Sequence, residues 1–297
     1  MKIWAVSDIH IDYAENRAWL TSLSLQDYQH DCLILAGDIS HRLEYVELAF
    51  STLAQRFKQV CFVVGNHDLW SSKKNPEFND SLHKRSAIET LAQQYNIATS
   101  AVYLSTDTAQ VKILPLSSWY DYSFAPLNHY LLARWADFSA CRWPATFYES
   151  IVEDHANSFL NEPQNQLKLH QQSVLDQRLC EYFLSENQDI VARHSLAQTS
   201  SLNDNPVVDV ISFSHFMPRI DVMPDYIPAV HQQVYPVLGS LLLDEQIRQL
   251  GSHLHIYGHS HVNRDELIDG VRYVNNAFAA PTEKRIARKA LLCVWEG

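Results

Sequence analysis

Nine side chains able to bind metals or move protons fall in short polar clusters, each closing an apolar run. "AVSDIH" ends in Asp8 and His10, "ILAGDIS" contains Asp38, and "VVGNHDLW" sets Asn66, His67 and Asp68 in a row. Further on, "ISFSH" ends in His215 and "IYGHSH" in His259 and His261. Carboxylates, imidazoles and an amide oxygen suit divalent transition metals, and imidazole changes charge near neutral pH. Each cluster alone has a plain structural reading. Gly65-Asn66 suits a turn, Asp38 before "ISHRLE" suits a helix cap, and a lone histidine is more often packed or solvated than ligating. The combination differs, because unpaired charges at buried strand ends are costly and a shared metal relieves that cost.

The runs that carry these tips read as buried strands: 2–7, 32–36, 60–64, 207–214 and 253–258. Helical spacing of apolar residues over 41–57, 80–95, 164–186 and 239–250 places helices between them. In open α/β sheets ligands bind beyond the carboxyl ends of the strands, so the tips should converge. Asp8 with His10, and His259 with His261, are two residues apart, which on extended backbone puts each pair on one side. Of only seven glycines, Gly37, Gly65 and Gly258 stand directly before a polar cluster, where a missing Cβ lets the backbone bend and approach a ligand. Asp269-Gly270 between alternating residues signals a hairpin, and 291–295 reads as a returning strand. The result is a layered α/β fold with helices outside and sheets inside.

Two stretches break the pattern. Trp119 to Tyr148 holds ten of the 33 aromatic residues without a clean period, which suggests a lid or interface over about 117–160. Its Arg134 and Arg142 could hold a second phosphate, while the plain reading is a self-packed lid with aromatics inside and arginines outside. Residues 215–236 hold four prolines.

Composition narrows the function class. At 297 residues and 46% apolar content the chain reads as one domain over 1–297 with a sizeable core. A formal charge of -11 argues against a duplex nucleic-acid footprint. Five scattered cysteines read as reduced thiols. "MKIWAVSDIH" reaches a carboxylate before a signal-type apolar region forms, and no apolar run is long enough to span a membrane. A cytoplasmic protein is the expectation, with a homo-oligomer left open.

D-x-H, G-D, G-N-H-D, a separate His and G-H-x-H, in that order over residues 8 to 261, resemble the calcineurin-like metallophosphoesterase superfamily. The resemblance implies a four-layer α/β/β/α sandwich of two mixed sheets, with two divalent metals between the sheet ends. Carried across, Asp8, His10 and His261 hold one metal, Asn66, His215 and His259 the other, and Asp38 bridges both. His67 stands beside the site as a catalytic group that does not ligate, able to reach the leaving-group oxygen. Asp68 would either orient His67 or cap the following turn. Two dications and two carboxylates leave a positive centre for phosphate, with a metal-bound hydroxide as nucleophile. Mn or Fe is favoured, with Zn, Co or Ni also compatible. "GDISHRLE" departs from the "VDRG"-type run of the protein serine/threonine phosphatase branch, and the acidic balance argues against the repair-nuclease branch. What remains is hydrolysis of a small phosphomonoester or phosphodiester, with a cyclic-nucleotide phosphodiesterase as the alternative. A metal-free scaffold of the same fold is the reading from outside enzymology.

Overall fold

The computed structural model describes residues 1–71, 77–106, 109–149, 164–199 and 208–297, except the side chains of 196–199. A five-stranded sheet has the order β11-β1-β2-β3-β4. Its strands are β1 (Lys2–Val6), β2 (Cys32–Leu35), β3 (Gln59–Phe62), β4 (Ile97–Ala98) and β11 (Leu292–Glu296). β1 to β4 run parallel and β11 antiparallel on the β1 edge. A six-stranded sheet has the order β5-β6-β7-β8-β10-β9, built from β5 (Val102–Ser105), β6 (Gln110–Pro115), β7 (Val208–Phe213), β8 (Leu254–Tyr257), β9 (Arg264–Ile268) and β10 (Val271–Asn275). Its inner four strands are parallel and both edges antiparallel.

Alternation along each strand explains the layers. Ile3, Ala5, Cys32, Ile34 and Cys61 of the first sheet face Val111, Ile113, Ile211, Phe213, Leu254 and Ile256 of the second in one buried cluster. The intervening Leu33, Leu35 and Phe62 pack outward with residues of α1 (Ala14–Ser22), α2 (Leu43–Ala54) and α3 (Ser81–Gln94). The helices Gln164–Glu186 and Leu241–Gln249 cover the second sheet. Both faces of the inner strands are therefore apolar, which is why they read as continuous hydrophobic runs. The four-layer α/β/β/α sandwich expected from the sequence is the architecture found.

The anticipated hairpin is β9–β10, with Asp269 (φ 49°) and Gly270 (φ 85°) supplying the two left-handed residues of a type I′ turn. The helix expected over 164–186 spans Gln164–Glu186. No described helix is long and apolar enough to cross a membrane.

The aromatic segment is an integral layer. Trp119, Tyr120, Tyr122, Leu131, Cys141 and Trp143 are buried in one cluster with Leu179, Cys180 and Phe183 of the helix Gln164–Glu186. Arg142 donates to the Ser71 carbonyl at 2.8 Å and to that of Phe78, and Arg134 is exposed over the Tyr130 ring. The buried rings follow the self-packed reading, but of the two arginines only Arg134 faces outward, while Arg142 is committed to backbone carbonyls. Residues 150–160 of the expected lid lie outside the described residues.

Candidate metal centre

The strands end early, and the ligand-type residues sit just past them on left-handed backbone. Asp8 (φ 52°), His10 (36°), Asp38 (59°), His259 (67°) and His261 (57°) are five of the nine non-glycine residues with positive φ among the described residues. Such conformations cost of order 1–3 kcal/mol each and persist where surrounding structure enforces them. Here the enforcement is visible. Beyond β1 the Asp8 and His10 amides donate to the Gly37 and Asp38 carbonyls at 2.9 and 3.1 Å, and the His259 amide donates to both Asp8 carboxylate oxygens at 3.1 Å. The expectation that the i, i+2 pairs share a side because they lie on strands needs correction. β1 ends at Val6 and β8 at Tyr257, and each pair converges through left-handed turns instead.

Two glycines make the convergence possible. A Cβ on Gly65 would fall 2.1 Å from the Asp38 carboxylate, and one on Gly258 would fall 2.7 Å from that of Asp8. No side chain fits at either place, so the loops meet only because these residues have none.

Three triads result, each with ligand atoms within 4.8 Å of one another: Asp8–His10–His261, His10–Asp38–His67 and Asp38–His215–His259. His10 Nε2 lies 3.1 Å from His261 Nε2, and His215 Nε2 lies 3.1 Å from Asn66 Oδ1. The two Asp38 oxygens face different neighbours, Oδ1 at 3.5 Å from His215 Nε2 and Oδ2 at 3.9 Å from His10 Nε2. The seven candidate ligands and His67 thus meet at one place.

The donor set fits divalent cations. His215 Nδ1 is bonded to the Ala36 carbonyl (2.9 Å), His259 Nε2 to that of Val237 (3.0 Å), and His261 Nδ1 to Glu283 (2.9 Å). In each ring one nitrogen is tied outward, leaving the other for the centre, the arrangement that orients metal-bound histidine. The proline-rich stretch thereby gains a role, since Val237 ends its second short helix. Burial and the neighbouring Asp68 and Asp8 carboxylates push the Asp38 carboxyl well above its usual range. Asp8 goes the other way: burial opposes ionisation, but the hydrogen bond and charge of His261 outweigh it. Burial, then His261, lowers His10 to about 4. Buried carboxylates and imidazoles pulled apart in this way mark a site built for positive charge.

Three residues were not read correctly from sequence. Asp68 neither orients His67 nor caps the following turn. Its Oδ2 accepts the amides of Asp38 (2.9 Å) and Gly65 (2.8 Å), and its Oδ1 those of Ile39 (2.9 Å) and Ser40 (3.1 Å). It clamps the Asp38 loop to the Asn66 loop. Asp137, buried in the aromatic segment, accepts from Asn66 Nδ2 (2.9 Å), Trp70 Nε1 (2.7 Å) and Trp135 Nε1 (2.9 Å). The Asn66 amide is thereby turned so that its oxygen faces His215. Glu283 does the same service for His261. The only sequence signal for Asp137 and Glu283 was an acid among aromatics and one beside a basic run. Asp137→Ala and Glu283→Gln should each weaken metal affinity roughly 10–100-fold, read by calorimetric titration of the demetallated protein, with thermal melts confirming that the fold survives.

His67 differs from the ligands. Its side chain is 30% exposed, and its ring stacks on Trp70 with centroids 3.7 Å apart. Its Nε2 lies 3.9 Å from Asp38 Oδ2. Burial, then the charges of His10 and His261, lowers it well below the ordinary histidine range.

A family model described as calcineurin-like phosphoesterase matches residues 1–263. Over 127 residues the chain is 28% identical to [acyl-carrier-protein] phosphodiesterase PptH of Mycobacterium tuberculosis, covering 42% of this chain and 39% of that protein. The matched stretch therefore spans well under half of the curated relative. The crystal structure of phosphopantetheinyl hydrolase (PptH) from Mycobacterium tuberculosis aligns with a TM-score of 0.67 at 19% identity, covering 99% of this chain and 95% of that one. That is a likeness of fold.

Proposed function

Because the chain belongs to the calcineurin-like phosphoesterase family, we propose that it hydrolyses a phosphate ester with two divalent cations held between the ends of its two sheets. The observation that carries this reading is the meeting of seven ligand-type side chains at one buried point, five of them on left-handed backbone. Asp8, His10 and His261 would hold one ion, Asn66, His215 and His259 the other, and Asp38 both. Such a pair supplies a nucleophile at neutral pH and clamps the oxygens of an in-line displacement.

This chain's own groups do the rest. Only Asp8 and Asp38 bring negative charge to the ligand set, so two dications leave the centre positive toward phosphate. Ala36, Val237 and Glu283 fix three imidazoles, and Asp137 fixes the Asn66 amide. His67, partly exposed and braced by Trp70, is placed to give a hydrogen bond or a proton to the departing oxygen. Mixed His, Asp and Asn ligation supports Mn or Fe, with Zn, Co or Ni also compatible. The five free cysteines support a reducing, cytoplasmic setting.

The relative named as an acyl-carrier-protein phosphodiesterase shifts the substrate reading. It supports a diester over a monoester, and a phosphate carried on a protein over the small free substrate expected from the sequence. With Arg142 committed to backbone carbonyls, Arg134 alone remains for the second-phosphate expectation. We therefore take a phosphopantetheine-type diester on a carrier protein as the substrate class. Demetallated protein should lose hydrolysis of bis(p-nitrophenyl) phosphate and regain it with added Mn or Fe. Release of phosphopantetheine from the holo-acyl-carrier protein, followed as a mass shift, tests the substrate. Full activity after chelation would overturn the two-ion reading.

A further inference from the structure

The chain is acidic overall at -11, yet "EKRIARK" (283–289) places four cations within seven residues. Lys289 is used internally, donating to the carbonyls of Phe278, Ala279 and Ala280. Lys284, Arg285 and Arg288 are exposed, and none makes an ion pair among the described residues. Between them Ile286 is exposed as well, while Ala287 is buried.

This turn is fixed to the metal centre at several points. The Ala279 amide donates to the Asp8 carbonyl at 2.8 Å, and the Asn263 amide donates to the Ile286 carbonyl at 2.9 Å. Glu283 Oε2 accepts both the Ala280 amide (2.8 Å) and His261 Nδ1 (2.9 Å). Three exposed cations, of which Arg288 also feels the Asp265 carboxylate, therefore begin one residue after the carboxylate that holds a candidate ligand, on backbone hydrogen-bonded to that centre.

We propose that the turn carrying Lys284, Arg285, Ile286 and Arg288 docks an acidic protein, its occupant being the carrier protein that bears the scissile phosphodiester. This rests on the substrate class proposed above. Cations at the rim of an otherwise acidic molecule give local complementarity to carboxylates and steer encounter. Ile286 supplies the apolar contact that a charged rim surrounds in protein interfaces. Three cations are too few to track a nucleic-acid backbone. A partner gripped here presents its phosphoester beside His261.

The test compares the native enzyme with the triple variant Lys284→Glu, Arg285→Glu, Arg288→Glu on two substrates, holo-acyl-carrier protein and bis(p-nitrophenyl) phosphate. The ratio of the two kcat/KM values should fall at least about ten-fold in the variant, chiefly through KM for the carrier protein. Added salt should slow the native carrier-protein reaction more than that of the variant. Equal losses on both substrates, or none on either, overturn the proposal. If the native enzyme cleaves the nitrophenyl diester but not the carrier protein, the substrate class fails, and fluorescence anisotropy of labelled carrier protein at low salt decides docking by itself. Binding that the triple variant abolishes supports the surface. Absent binding, or displacement by an equal concentration of RNA oligonucleotide, overturns it.

Discussion

Asp38→Asn should strip both metal ions from the protein, whereas Asp8→Asn should lose one. Asp38 presents one oxygen toward His215 and the other toward His10, so it belongs to both halves of the cluster. Asp8 groups with His10 and His261 alone. Removing one partner of a buried charge pair costs about 3–5 kcal/mol, which at 1.4 kcal/mol per decade is roughly 10²–10⁴-fold in affinity. For Asp38 that loss falls on each ion, and hydrolysis should fall with it. Asparagine keeps the oxygen that accepts the His67 amide at 2.9 Å, so the loop should survive. The metal-free protein adds a second readout. Burial and the Asp68 and Asp8 carboxylates disfavour the ionised Asp38, so at neutral pH a neutral amide relieves repulsion and apo Asp38→Asn should melt higher than apo native protein. Elemental analysis with apo melting curves checks both. Equal loss of a single ion in the two variants would remove Asp38 from the bridge.

What the sequence revealed follows from where each interaction closes. The inner strands were readable because helices and the opposite sheet cover both their faces, leaving apolar runs such as Cys32–Leu35. Val102–Ser105, an edge strand with alternating half-buried and exposed residues, and Ile97–Ala98, only two residues long, gave no such run. The ligands were readable because Gly37, Gly65 and Gly258 mark where loops must pass close together. The supporting residues were not. Asp137 acts on Asn66 across 71 positions and Glu283 on His261 across 22, through single hydrogen bonds that leave no periodicity. Asp68 was visible but misread, because its four amide partners are defined only once the Asp38 loop folds back on it. The aromatic segment showed no local period for a related reason: its buried rings pack on the helix Gln164–Glu186 and on each other, a tertiary pattern.

His67→Ala should retain both ions and lose about 10²–10⁴-fold in turnover. The residue follows a candidate ligand at a strand tip, yet it is more exposed than its neighbours and stacked on Trp70. In the proposed assignment, seven other side chains complete the two sites. Burial and the surrounding imidazoles favour its neutral form in the free protein, so it meets the substrate either as a hydrogen-bond donor or after gaining a proton that a phosphate anion stabilises. Leaving groups separate these roles. A nitrophenolate departs with little protonation, whereas an alkyl alcohol such as a serine side chain needs a proton. If His67 supplies that proton, the variant should lose far more on an alkyl or carrier-protein diester than on a nitrophenyl diester, with chemistry limiting in both. Equal losses would instead assign His67 to holding and stabilising the phosphate. Metal content measured on the same preparations closes the argument, because an ion missing from His67→Ala would make this histidine a ligand, as its place in the triad with His10 and Asp38 allows.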